Sequence, residues 1–230
     1  MNLLLPFLAV LLGFVAAIVI KPQSANRMKL LLAFSGAFLL SAVASEFLPE
    51  IYGTGESTYA AYLMGGVFLQ IILEFFSKGA EHGHLHVNKD VSVFPFLLFG
   101  SLCLHAFLEG MPLQESHGHD HNHGMGMLYG IAVHKIPIAF ILTSFLLNSK
   151  FKTYKTILII LFFAAMSPLG SLTAGNIEFL QEVMLPIKAI VAGIVLHVST
   201  TLILEASENH KFNLAKIVVM VLGGVLGFLL

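Results

Sequence analysis

Charge is scarce in this chain. Only 11% of its 230 residues are Asp, Glu, Lys or Arg, against roughly 25% in a soluble globular domain. That scarcity excludes an ordinary water-soluble fold. The formal net charge is −1, which leaves no basic surface for nucleic acid. Cys103 is the one cysteine and lies inside an apolar run, so no disulfide framework exists and the redox compartment stays unread. The first apolar run, residues 3–20, has no basic region before it and no cleavage-like site after it; its first cation, Lys21, follows the run. It reads as a retained helix rather than a signal peptide.

Apolar residues are abundant. They make up 57% of the chain, and the mean hydropathy is +0.88, so the protein reads as all-α and integral to a membrane. A span needs about 20 mostly apolar residues. Eight stretches qualify: residues 3–21, 29–51, 60–78, 93–113, 126–148, 154–175, 184–206 and 213–230. The connections between them are short, so residues 1–230 form one transmembrane domain without a soluble appendage. Ten of the twelve Lys and Arg fall on the odd-numbered connections, while the even-numbered ones carry only acids. Cytoplasmic loops attract Lys and Arg, so the odd-numbered loops face the cytoplasm and both termini are extracytoplasmic. Loop 79–92 is then cytoplasmic and loop 114–125 extracytoplasmic. The two exceptions are Lys188, near a span end from which it can snorkel, and Lys135, which lies deeper. Small residues at Ser35-Gly36-Ala37, Gly65-Gly66, Ala192-Gly193, Gly223 and Gly227 suit close helix packing and say nothing about substrate.

The fourth and fifth spans hold groups that are costly in hydrocarbon. They are His105 and Glu109, then His134 and Lys135. Ionisable residues inside a membrane are by default functional candidates. His105 and Glu109 are four apart, so they share one helix face. At 1.5 Å per residue, His105 and His134 lie about two turns below the outer surface on consecutive antiparallel spans. Two imidazoles and a carboxylate at one depth make a metal-ligand set. The blander reading is a His–Glu bond joining two helices, worth about 1 kcal/mol. Pro137 lies three residues past His134; a kink there would free carbonyls toward a polar cavity.

These residues resemble the ZIP (Zrt-, Irt-like protein) family of divalent metal transporters. The family's fourth span carries a His-Asn-x-x-Glu-Gly type motif, and this chain has His105-Ala106-Phe107-Leu108-Glu109-Gly110. Its fifth span carries His-Glu-Ile-Pro-His-Glu, and this chain has His134-Lys135-Ile136-Pro137-Ile138-Ala139. The run Glu46-Phe47-Leu48-Pro49-Glu50 ending span 2 and Ser167-Pro168-Leu169-Gly170 in span 6 fit as well. The resemblance implies eight helices in a 3+2+3 inverted-repeat plan with a midplane site used in alternating access. It also implies two neighbouring metal sites. The first matches here through His105, Glu109 and His134, with Ile138 in place of a ligand. At the second, Ala106 replaces Asn, Lys135 replaces an acid, and Ser167 stands where an acid can occur. The second site is therefore expected to be lost, with Lys135 as a tethered cation in its place. Glu46 and His197 are candidates for the pathway, His197 also as an extra ligand. Glu74 reads as a group that can snorkel from the inner end of span 3.

Two connections are rich in histidine: His82, His84 and His86 in the first, and His117, His119, His121 and His123 in the second. Alternating His and Gly gives mobile imidazoles suited to borderline metals. The external set is expected to capture metal and the internal set to receive it. The leading expectation is a multi-pass transporter of the plasma (inner) membrane, with no organic cofactor, moving Zn²⁺ toward the cytoplasm. Fe²⁺ and Mn²⁺ remain open. The partners are metal ions and the lipid bilayer, with a homodimer open and no nucleic acid. One rival is a membrane-embedded zinc hydrolase, although no HExxH pair exists. Another is a degenerate family member acting as a metal sensor or carrying another solute.

Overall fold

The computed structural model describes residues 4–20, 25–77, 79, 94–113, 125–149, 152–205 and 214–230, with residues 25–27 described by backbone only. All regular structure among them is helical: α1 (Leu4–Val19), α2 (Ala25–Ala42), α3 (Leu48–Gly53), α4 (Thr58–Ser77), α5 (Phe96–Gly110), α6 (Met125–Asn148), α7 (Thr153–Asn176), α8 (Glu178–Glu182), α9 (Met184–Glu205) and α10 (Leu214–Leu229). In lipid every backbone polar group must be satisfied internally, which leaves helices as the economical solution for such apolar runs. Among the described residues, six helical spans are long and apolar enough to cross a membrane, and the chain is an integral multi-pass membrane protein. The remaining two apolar helices, α1 and α10, are shorter, at 16 residues each. At 1.5 Å per residue each extends about 24 Å, somewhat less than a hydrocarbon core of about 30 Å.

A π-helical turn, Val43–Phe47, joins α2 to α3. The Leu48 N–H reaches Val43, five residues back, and the next residue, Pro49, has no N–H to give the Ser45 carbonyl. Such single π-turns often mark functional positions, and this one carries Glu46.

The helices pack as two groups. In one, α1 lies on α6 and α7, and α5 lies on α7; in the other, α4 and α2 lie on α9, and α10 lies on α2. The groups meet where α2 packs on α6 and α4 on α5. Each has its own apolar core. Leu102, Ile138, Leu142, Ile160 and Phe163 fill the first; Leu39, Ile51, Val191 and Val195 fill the second. Helix α6 serves both, turning Ile138 and Leu142 to one and Met127 and Ile131 to the other.

Glycines set the closest approaches. On α5 and α7 they act reciprocally: a Cβ on Gly110 would strike the Ser167 backbone, and one on Gly170 would strike the Phe107 carbonyl. Gly66 and Gly193 do the same for α4 and α9, against Ile190 and Leu63. Gly223 and Gly227 admit the backbones of Phe34 and Phe38. Gly65, expected beside Gly66 as a packing residue, instead faces open space, because one residue's rotation turns it to the outer side of α4. That side also carries Phe68, Ile72 and Phe75, an apolar surface suited to lipid.

Candidate metal centre

The centre lies where α5 and α6 face each other. Leu98, Leu102 and Ala106 commit one face of α5 to the first core. That register turns His105 and Glu109 inward, leaving them 1% and 0% exposed. His134 on α6 is equally buried. One ligand atom from each of His105, Glu109 and His134 lies within 4.8 Å of the others. The His105 and His134 rings stand nearly perpendicular, with centroids 6.3 Å apart. His105 Nε2 is 3.0 Å from Glu109 Oε1. Two imidazoles and a carboxylate suit a borderline divalent ion, and three ligands leave further positions for water or a passing partner.

Lys135 enters from the other side of the carboxylate. Its Nζ donates to Glu109 Oε2 at 3.1 Å, and the lysine is 2% exposed. The ammonium also lies 5.6 Å from the centroid of the Phe163 ring, in reach of a cation–π attraction. A charge in a dry interior is tolerated only when paired, and Glu109 supplies the pair. The neighbouring positions are occupied by non-ligating groups. Ala106 offers a methyl, and its carbonyl accepts the Ser167 hydroxyl at 2.9 Å. Ile138 is embedded in the apolar core.

Other residues singled out in the sequence lie elsewhere. Glu46 caps α6: its two carboxylate oxygens accept the Gly126 and Met127 N–H groups at 2.8 and 2.9 Å. A carboxylate there answers the positive end of the helix dipole. His197 Nε2 is 2.7 Å from Glu74 Oε2, so His197 joins α9 to α4 rather than the cluster around Glu109. Glu74, expected to snorkel, is held in the same pair. Lys188 donates to Glu50 at 2.6 Å, tying α9 to α3. The loop histidines 82, 84, 86, 117, 119, 121 and 123 lie outside the described residues.

Gln70 was missed in the sequence. It is fully buried on α4, and its Oε1 lies 3.0 Å from His105 Nδ1. A signal was present: Gln70 and Glu74 are four apart on an otherwise apolar helix, the same spacing that exposed His105 and Glu109.

Among known proteins, no curated sequence matches the chain. A family model does: ZIP zinc transporter, over residues 77–230. That match spans well over half of the chain and contains α5, α6, His105, Glu109 and His134. With that extent of match, the chain belongs to the ZIP zinc transporter family.

Proposed function

We propose that this protein moves a divalent cation, zinc by the chemistry of its ligands, across the membrane toward the cytoplasm through one site made by His105, Glu109 and His134. The observation that carries this reading is the gathering of those three groups, all buried, within 4.8 Å in a chain of the ZIP zinc transporter family. Residues 1–230 act as one domain of eight spans in a 3+2+3 plan, with both termini outside. The alternation of Lys and Arg among the connections supports that orientation. The division of the helices into two packed groups suits alternating access, in which one group slides past the other.

Lys135 makes it a one-metal site. Its ammonium takes the place of a second cation beside Glu109 and keeps the empty site neutral. An arriving ion competes with it for the carboxylate, which lowers affinity and aids release. The external histidines 117, 119, 121 and 123 capture metal above the site; His82, His84 and His86 receive it below.

Proteoliposomes test this reading against the embedded-hydrolase alternative. The transporter accumulates zinc inside. Zinc-dependent turnover of lipid or peptide without accumulation would favour the hydrolase, and neither activity would favour a sensor.

A further inference from the structure

The hydrogen bond between Gln70 and His105 crosses from one helix group to the other. Gln70 stands on α4, which packs on α9; His105 stands on α5, which packs on α7. A carboxamide oxygen only accepts, so the 3.0 Å contact to Gln70 Oε1 puts the proton of a neutral ring on Nδ1. Nε2 then carries the lone pair. It faces Glu109 Oε1 at 3.0 Å, and two lone-pair atoms set face to face are what a cation stabilises. Groups that bond the far nitrogen of a ligating histidine fix both ring orientation and tautomer.

We propose that Gln70 is a positioning residue of the metal site, one that acts from the opposite helix group. It sets His105 for metal while α4 and α5 are aligned as here, and it releases the ring when α5 shifts along α4. Affinity is thereby tied to the position of the moving helices. The dependence on movement rests on the transport reading above; the positioning itself does not. A carboxamide suits the task, because a neutral acceptor holds the ring less firmly than a carboxylate would and lets the contact part on each cycle.

The test uses the full chain and zinc alone, reading the component of zinc binding that His105→Ala removes. Gln70→Leu should weaken that component about tenfold or more. Gln70→Glu, of equal length and still an acceptor, should restore it. In proteoliposomes Gln70→Glu should also lower the maximal uptake rate without raising the half-saturating concentration, since the ring is held too well. A role in folding alone would shift the yield of folded protein but give neither the rescue nor the split. Wild-type affinity in Gln70→Leu, or equal losses in Leu and Glu variants, overturns the proposal. Should Gln70→Leu not fold, Gln70→Glu decides alone: a lower maximal rate supports the proposal, and wild-type kinetics overturn it. If His105→Ala removes no binding at all, the metal site itself is wrong and the positioning role falls with it.

Discussion

Replacing Lys135 by Met should tighten zinc binding, not weaken it. The Lys135 ammonium and Glu109 carboxylate are 3.1 Å apart, and both are all but sealed from solvent. Removing one member of a buried pair costs about 3–5 kcal/mol, because the other is left uncompensated. The lower end of that range, about 3 kcal/mol, serves as the working figure. The cost falls on the empty state. A bound dication supplies the missing positive charge and relieves it. The Coulomb estimate has the same sign. A metal about 2 Å from a Glu109 oxygen stands roughly 5 Å from the ammonium, a repulsion of about 6–7 kcal/mol at an effective dielectric of about 20. Counting the metal as half neutralised by Glu109 brings this to about 3 kcal/mol. Either route gives roughly a hundredfold lower Kd. Met fills the lysine's volume without charge, which limits packing loss. Competition with a zinc chelator measures the change. Vesicle uptake should show a lower half-saturating concentration and a lower maximal rate, as release slows. A Kd within about threefold of wild type, or a weaker one, refutes the reasoning.

Gly170→Ala should destabilise the bundle, because the new Cβ meets the Phe107 carbonyl on α5. Overpacking of this kind costs about 1–3 kcal/mol, read as a fall in Tm of about 2–4 °C per kcal/mol. Gly65→Ala, which meets nothing within 4 Å, is the control and should leave Tm unchanged. Deleting residues 117–123 should raise the zinc concentration for half-maximal uptake while sparing the maximal rate. Unchanged kinetics would remove the capture role from that loop.

Much of this was legible in the chain because hydrocarbon is a severe solvent. Long apolar runs announce helices, and a buried His or Glu stands out against them. His105, Glu109 and His134 were visible for that reason, and so were Gly66, Gly193, Gly223 and Gly227, which admit neighbouring backbones; Gly110 and Gly170 do the same but were not singled out for packing. Rotation about a helix axis was less legible. Gly65 and Gly66 look alike in sequence, yet one faces open space and the other a carbonyl. Partners were harder still. His197 looked like a ligand, but its depth alone does not say that Glu74 stands opposite at 2.7 Å. Glu46 looked like part of a pathway, while its carboxylate engages the amides that start α6. Gln70 carries no charge, so it drew no notice among apolar neighbours. Its contact with His105 emerges only when α4 is seen against α5. The π-turn at Val43–Phe47 was less legible too, because a proline's effect on the helix ladder has several local solutions.

The central claim is that a metal ion crosses through the cluster around Glu109. Zinc uptake into proteoliposomes by wild type and by His105→Ala, at matched amounts of folded protein, tests it most directly. The account predicts saturable uptake in the wild type and its loss in the variant. Undiminished uptake by His105→Ala would contradict it.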